Sequence, residues 1–247
     1  NIQEDDTVII GNAFDESNPE VKKAMSLKHG RVYRYHEYLG KLVDQYTSVS
    51  IAGCHGKTTT TSMISCCFLR ANMDPNIQVG AILKQINGNY RIGKSEYFIL
   101  EACEYVESFL KFRPKSEVVL NIDNDHLDYF KTFDNIKNAF IRYVALLPKD
   151  GYLVLNADDE NCLELRNHSD AKAVTYSIKN PYANFRAKSI SFDRNGFPKF
   201  DVYLNGNFYS TIKLSVAGEH NISNALACIA ICHSYGISKM YIKDALA

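Results

Sequence analysis

This sequence has no net charge, because its 28 lysine and arginine residues equal its 28 aspartate and glutamate residues. A balanced chain produces no overall field that attracts nucleic acid or an anionic membrane, so we expect neither as a partner. No apolar run approaches the length that a helix needs to cross a bilayer, and we find no internal repeat or low-complexity tract. With 46% hydrophobic and 23% charged residues, the composition is that of a soluble globular protein.

The sequence also lacks a C-x-x-C pair, although it contains seven cysteines. Cys228 and Cys232 lie four residues apart in a predicted helix, a spacing that could hold a metal ion only with further ligands nearby. Most of the cysteines fall in apolar segments. Small buried thiols in a reducing cytosol are therefore the simpler interpretation, and we predict a cytoplasmic protein.

The order of the predicted segments indicates an α/β fold. Near the start, residues 7–11 and 31–35 read as strands, and residues 18–27 and 38–45 read as helices, which is the order of a doubly wound domain. Further strands are predicted at residues 49–52, 77–83, 97–102, 118–122, 152–156, 173–176, 200–204 and 208–216, and further helices at 57–70, 133–147, 221–235 and from 239 onward. The apolar runs favour a mostly parallel sheet flanked by helices. The pair Asn205-Gly206 is a strong hairpin signal, so we expect a small antiparallel sheet beside the main one.

Residues 48–70 carry the clearest functional signal. A β-branched strand enters a turn bracketed by Gly53 and Gly56, and an apolar-periodic helix begins at Lys57. Backbone N–H groups at such a helix start face an anion, the lysine reaches the outer phosphates, and the Thr58 hydroxyl is placed to bind Mg²⁺. An ordinary glycine-rich turn with a surface lysine is the alternative. We predict ATP binding by the loop residues Gly53, Cys54, His55, Gly56, Lys57, Thr58 and Thr59.

Acidic and imidazole side chains follow two other predicted strands. Glu101 ends the run at 97–101, and His126 follows the run at 118–122. The carboxyl ends of parallel strands meet at one edge of a sheet, so both should lie near Lys57 and Thr58. Oxygen ligands with one imidazole suit Mg²⁺ shared with ATP phosphates. The alternatives are a solvated strand-end carboxylate and a helix-cap or core histidine. We expect loop capping and support of the site from Asp123, Asn124, Asp125 and Asp128.

Four segments resemble motifs of the Mur ligases, the ATP-dependent enzymes that add amino acids to the peptidoglycan precursor. Residues 51–61 look like the family's nucleotide loop, and residues 101–104 are similar to its Glu-Ala-Asp-Glu. Residues 121–128 are similar to Asn-Ile-x-x-Asp-His-x-Asp, and residues 218–225 resemble Gly-x-His-Asn-x-x-Asn-Ala. The motifs occur in family order. His55 before the second glycine is similar to the branch that adds L-alanine to UDP-N-acetylmuramate.

The resemblance implies a division of the chain and a set of site residues. Residues 1–47 would end an N-terminal, UDP-binding Rossmann-like domain, and residues 48–247 would form the central ATP-binding domain. The chain starts without methionine and stops within a helical pattern, so we expect a piece of a longer protein that lacks its C-terminal domain. The family's magnesium ligands fall on Glu101 and His126. Cys103 replaces an aspartate, and Cys54 replaces the usual threonine. Phe140 stands where sister ligases carry a carbamylated lysine.

Two asparagines in the last motif are candidates for base recognition. Asn221 and Asn224 lie three apart on one face of a helix start, and an amide can both donate to and accept from an adenine edge. We expect adenine contact from Asn224. For Asn221, adenine contact and helix capping are equally favoured.

The implied reaction consumes UDP-N-acetylmuramate, L-alanine and ATP, and it passes through an acyl phosphate. Lys57, Glu101 and His126 would carry the catalysis, with Thr58, Glu101 and His126 as metal ligands. A murein peptide recycling ligase or another Mur ligase is the alternative within the family. A nucleotide-binding regulatory module without catalysis is the alternative outside enzymes.

Overall fold

The computed structural model describes residues 2–27 and 31–247. Its strands are β1 (Val8–Ile10), β2 (Val32–Arg34), β3 (Thr47–Ala52), β4 (Asn76–Leu83), β5 (Gly88–Arg91), β6 (Tyr97–Glu101), β7 (Ser116–Val119), β8 (Tyr152–Asn156), β9 (Lys172–Ser177), β10 (Phe185–Phe192), β11 (Pro198–Leu204) and β12 (Asn207–Lys213). Its α-helices are α1 (Pro19–Met25), α2 (Tyr35–Val43), α3 (Lys57–Arg70), α4 (Leu127–Phe130), α5 (Phe133–Val144), α6 (Glu160–Glu164), α7 (His220–Ser234) and α8 (Lys239–Leu246). Within these described ranges, no helix is long and apolar enough to cross a membrane.

One ten-stranded sheet forms the centre of the molecule, in the order β12-β11-β10-β9-β8-β7-β3-β6-β4-β5. The seven strands from β10 to β4 in this order pair in parallel, and β5 is antiparallel to β4. In the middle of the sheet, Val49 of β3 lies opposite Ile99 of β6, and Ile51 of β3 lies opposite Val118 of β7. The prediction of a mostly parallel sheet flanked by helices is confirmed.

The antiparallel strands continue the main sheet and do not form a second one, which corrects the sequence-based expectation. As predicted, β11 and β12 are joined at Asn205-Gly206, and both turn residues have positive φ, as a tight two-residue hairpin requires. The strand β10, which the pattern did not reveal, connects this hairpin to β9. Its alternation of buried residues is interrupted at Ser189, where φ is +53° and the register with β11 shifts.

Two hydrophobic cores cover the two faces of the sheet. Val49 and Ile51 of β3 pack with α3, α7 and α8, whereas Ala52 packs with α2 and α5 on the opposite face. The helix α3 has the predicted bounds, and it buries the side chains of Met63, Ile64, Cys67 and Phe68. Each fully buried aliphatic or aromatic side chain contributes about 1.5–3 kcal/mol. These cores fix α3, and therefore its N-terminus, against the carboxyl end of β3.

The first strands and helices form a smaller unit. The parallel pair β1 and β2 packs with α1. The N-cap Asn18 accepts from the backbone N–H groups of Glu20 and Val21, and Pro19 occupies the first helical position. The helix α2 joins this unit to the large sheet, because Leu39 and Val43 lie in the second core. The assignment of residues 1–47 to a UDP-binding domain stays a prediction.

Candidate functional site

The loop between β3 and α3 lies at the carboxyl edge of the sheet. Gly53 has φ +134° and Gly56 has φ +87°, backbone conformations that side chains rarely adopt. A Cβ on Gly56 would also lie 2.6 Å from Asn224 Oδ1, so the loop can approach α7 only with glycine there. The helix α3 begins at the next residue, Lys57. Its free N–H groups and its dipole make this end attractive to an anion such as phosphate.

The residues that follow β7 hold the loop in place. The N–H of His55 donates to Asn121 Oδ1 at 2.8 Å, and Asn121 Nδ2 donates back to the carbonyl of His55 at 2.9 Å. The Cys54 thiol donates to the carbonyl of Asp123 at 3.3 Å and accepts from the Asp123 N–H at 3.2 Å. Burial raises the pKa of the Cys54 thiol to about 11, so it remains a neutral donor near pH 7. The thiol therefore supplies a contact that anchors the loop.

Lys57 is bound to Glu104, a residue that the sequence reasoning left without a role. Lys57 Nζ lies 3.1 Å from Oε1 and 3.0 Å from Oε2 of Glu104, and it also donates to the carbonyls of Gly53 and Cys54. The Glu104 side chain is 1% exposed. The one available signal for Glu104 was its position in the segment 101–104, three residues after Glu101.

Thr58 and Glu101 form a second pair beside this one. Thr58 Oγ1 donates to Glu101 Oε2 at 3.2 Å, and the N–H of Gly80 on β4 donates to Glu101 Oε1. A Cβ on Gly80 would lie 3.0 Å from Glu101 Oε2 and 3.1 Å from Thr58 Oγ1. Because Gly80 has no side chain, there is room for the Glu101 carboxylate beside the Thr58 hydroxyl.

His126 lies on the other side of Glu104. Its Nε2 is 3.7 Å from Glu104 Oε1, its Nδ1 is 3.8 Å from Asp125 Oδ1, and its ring lies 4.8 Å from the ring of Tyr105. His126 lies immediately before α4, and its backbone φ is +52°. The two predicted metal ligands thus have different partners: Glu101 contacts Thr58, and His126 contacts Glu104.

The acidic residues around His126 have the capping contacts expected of them. Asp123 accepts from the N–H of Asn124 at 2.7 Å, and Asp125 accepts from the N–H of His126 at 2.8 Å. Asp128 accepts from the Tyr105 hydroxyl at 3.4 Å. These hydrogen bonds shape the loop that presents the imidazole.

Asn221 and Asn224 both lie at the start of α7 and are nearly buried. Asn221 Nδ2 donates to the carbonyl of Ala217 at 2.7 Å, and Asn221 Oδ1 accepts from Asn224 Nδ2 at 3.0 Å. Asn221 thus ties the turn before the helix to Asn224. Asn224 is the member of the pair that faces Gly56 of the nucleotide loop. Contact with adenine stays a prediction for both.

The donor set fits Mg²⁺ together with a nucleotide phosphate. One hydroxyl, two carboxylates and one imidazole (Thr58, Glu101, Glu104 and His126) lie near the start of α3, where Glu104 is paired with Lys57. Mg²⁺ prefers oxygen ligands and is usually bound through one or two carboxylates plus substrate phosphates. Burial raises the pKa of the Cys103 thiol, which disfavours the thiolate form, and Phe140 is fully buried against Phe109.

A cavity of about 400 Å³ lies between the N-terminal unit and this site. Its lining includes the cationic side chains of Arg34 and Lys111 and the carboxylates of Asp15 and Glu37. Tyr105, which contacts His126, also lines it. The cavity therefore reaches from the first 47 residues to the carboxyl edge of the sheet.

The site combines a strand, a glycine loop and a helix with carboxylates on the neighbouring strand ends. This is the arrangement of nucleotide-binding α/β domains of the phosphate-loop type. The family described as the Mur ligase middle domain matches residues 51–232, and the chain belongs to the Mur ligase family. It is 47% identical to the UDP-N-acetylmuramate–L-alanine ligase of Acetivibrio thermocellus over 247 residues, which cover 100% of this chain and 52% of that protein. It is 45% identical to the ligase of the same name from Clostridium tetani, over 97% of this chain and 52% of that protein.

Solved structures agree with this assignment. The UDP-N-acetylmuramate-alanine ligase of Thermotoga maritima matches with a TM-score of 0.83 and 28% identity, covering 97% of this chain and 53% of that one. A UDP-N-acetylmuramate:L-alanyl-gamma-D-glutamyl-meso-diaminopimelate ligase from Neisseria meningitides matches with a TM-score of 0.83 and 24% identity, over 96% and 76% of the two chains, which shows a common fold. The chain spans about half the length of the curated relatives it matches.

Proposed function

We propose that this chain is the ATP-binding part of a ligase that joins L-alanine to UDP-N-acetylmuramate. The observation that carries the proposal is the arrangement of Lys57, Glu104 and His126 beside Thr58 and Glu101 at the start of α3. A regulatory module that only bound nucleotide would have no need for this second set of ligands. Relatives named for this reaction are 43–47% identical, which supports the choice of substrates. A reaction that uses ATP and a UDP-linked precursor favours a cytoplasmic location.

The loop would hold the phosphates of ATP by its backbone. The N–H groups of the first turn of α3 would donate to phosphate oxygens, and Gly53 and Gly56 allow the close approach. Lys57 would exchange Glu104 for the outer phosphates, where its charge stabilises the phosphoryl group during transfer. Asn224 would contact the adenine side of the nucleotide from its place against Gly56.

Mg²⁺, when bound, supplies positive charge that lowers the repulsion between the phosphates and an incoming carboxylate. Thr58, Glu101, Glu104 and His126 are the residues that would hold it. Glu104 becomes available for this role when Lys57 turns to the phosphates. Asp125 and Tyr105 would orient the His126 ring, which both contact.

The chemistry proceeds in two substitutions. The carboxylate of UDP-N-acetylmuramate attacks the γ-phosphorus of ATP, the bond to the β-phosphate oxygen breaks, and ADP leaves. The acyl phosphate formed on the substrate is then attacked by the amine of L-alanine, which forms the amide and releases phosphate and a proton. The cavity beside Tyr105, whose lining combines Arg34 and Lys111 with Asp15 and Glu37, would accept part of the UDP-linked substrate.

Phosphate release tests the proposal directly. The full-length protein should release phosphate from Mg·ATP only when both UDP-N-acetylmuramate and L-alanine are present. Replacing L-alanine with the tripeptide L-alanyl-γ-D-glutamyl-meso-diaminopimelate separates the two ligase alternatives, since only a peptide recycling ligase would use it. ATP binding without turnover on either acceptor would leave the regulatory module as the function. The 247-residue chain alone should bind nucleotide and show no turnover.

A further inference from the structure

Three cysteine thiols meet between α3 and α7, away from the site described above. Cys67 on α3 and Cys228 on α7 have their sulfurs 3.6 Å apart, and Cys228 and Cys232, one turn apart on α7, have theirs 3.9 Å apart. All three sulfurs lie within 4.8 Å of one another, and all three side chains are fully buried. The sulfurs therefore form a closed triangle inside the core.

The size of this triangle matches three-sulfur coordination. A central atom bonded to sulfur at about 2.3 Å, as zinc is in proteins, requires sulfur–sulfur separations of about 3.8–4.0 Å, and a pyramidal centre brings the sulfurs slightly closer. The observed separations of 3.6 and 3.9 Å are close to these values. A three-coordinate centre could thus bind with little movement of either helix.

The surroundings decide which charge such a centre can carry. The buried residues around the triangle are hydrophobic, among them Ile64, Phe68 and Ile229. A net charge in such a core is expensive unless it is paired. Three thiolates carry three negative charges, so a monovalent or divalent ion would leave a negative complex. A trivalent centre gives a neutral one.

We propose that Cys67, Cys228 and Cys232 form a binding site for a trivalent, thiophilic metalloid of the arsenous acid class. In the reaction, three S–H bonds and three As–O bonds break, three As–S bonds form, and the protons and hydroxyls leave as three water molecules. Arsenic stays trivalent, so no oxidant or reductant is needed. The occupied site would tie the helix that begins at the nucleotide loop to the helix that carries Asn224.

Access to the three thiols limits how fast they can react. Their sulfurs already lie within hydrogen-bonding distance of one another along two sides of the triangle. Because all three are buried, binding requires transient separation of α3 and α7 and should be slow.

Intact-protein mass spectrometry tests the proposal. The full-length protein is first incubated with arsenite in the presence of a phosphine reductant and without added thiols. A three-sulfur site adds one arsenic atom and removes three hydrogen atoms. Attachment through two sulfurs would instead retain one hydroxyl on arsenic, and that mass would overturn the proposal, as would no adduct at all. Thermal unfolding should shift upward in the adduct, because the new bonds join two helices.

Variants locate the site and test the charge argument. Cys67→Ala and Cys228→Ala should each abolish the three-hydrogen adduct and weaken arsenite binding at least about tenfold, since one chelating arm is lost. Cys162→Ala removes an equally buried thiol from the other core and should leave the adduct unchanged. An adduct that persists in Cys67→Ala and disappears in Cys162→Ala would overturn the assignment. Zn²⁺ that binds the same thiols as tightly as arsenite would overturn the charge argument.

Discussion

Lys57 and Glu104 form an ion pair in which the lysine lies 3.0 Å from a carboxylate that is only 1% exposed. Removing one partner of a buried pair leaves the other charge uncompensated, at a cost of about 3–5 kcal/mol. Lys57→Ala should therefore lower the free energy of unfolding by several kcal/mol in urea titrations. The double variant Lys57→Ala/Glu104→Gln should recover most of that loss, because no charge is left unpaired. Equal stabilities of Lys57→Ala and the unaltered protein would contradict a stabilising role for the pair.

Nucleotide binding should depend on Lys57 for a separate reason. The lysine is the one cation that directly contacts the loop between Gly53 and Thr58 in the described residues. Mg·ATP should raise the melting temperature of the 247-residue chain, as any ligand that binds only the folded state does. The double variant Lys57→Ala/Glu104→Gln, chosen for its restored stability, should show a much smaller shift than the single variant Glu104→Gln, which keeps the lysine. Equal shifts in both proteins would place the nucleotide elsewhere.

Glu101 and His126 should contribute to turnover more than to folding. In the proposed reaction, each would lie where charge develops during phosphoryl transfer, and loss of such a contact typically costs several kcal/mol of barrier. Glu101→Gln and His126→Ala in the full-length protein should lower kcat by roughly a hundredfold or more, with melting temperatures close to that of the unaltered protein.

Magnesium dependence separates these roles further. If affinity for the ion is the main defect, a higher Mg²⁺ concentration should restore part of the activity of each variant. Asp128→Asn, which keeps a hydrogen-bond acceptor near Tyr105, serves as the matched control and should retain activity. Near-normal kcat at low Mg²⁺ in Glu101→Gln or His126→Ala would make that residue structural.

The sequence pattern predicted the observed bounds of α3. It also predicted that Lys57, Thr58 and Glu101 lie at one edge of the sheet. Both predictions rest on local signals, namely the spacing of the glycines and the ends of the strands. The role of Glu104 required the structure. After Glu101 the strand period ends, and the chain turns through Val106 and Glu107 with φ of +48° and +56°. No glycine marks that turn, so no local backbone signal indicated that Glu104 points back to Lys57. Long-range packing fixes such a conformation, and the same holds for the bulge at Ser189.

The strand β7 contains a second buried carboxyl group, whose effect on stability should depend on pH. Glu117 is fully buried, and within the described part of the chain neither of its carboxyl oxygens has a hydrogen-bond partner. Burial raises the pKa of Glu117 well above its ordinary value. Burial also raises the pKa of Tyr143, and the nearby Glu117 carboxyl group raises it further. The folded protein therefore holds Glu117 in its neutral, protonated form.

The sign of the pH dependence follows from this raised pKa. Below the ordinary pKa of a glutamate, about 4.3, the group is protonated in both the folded and the unfolded chain. Above that value the unfolded chain releases the proton first, so Glu117 lowers the free energy of unfolding by about 1.4 kcal/mol per pH unit, until the pH passes the raised pKa of the folded state. Urea titrations between pH 5 and pH 8 should therefore show Glu117→Leu gaining stability over the unaltered protein as the pH rises. Glu16→Gln, which changes an exposed glutamate, should follow the unaltered protein. A constant difference between Glu117→Leu and the unaltered protein across this range would mean that Glu117 ionises equally easily in both states.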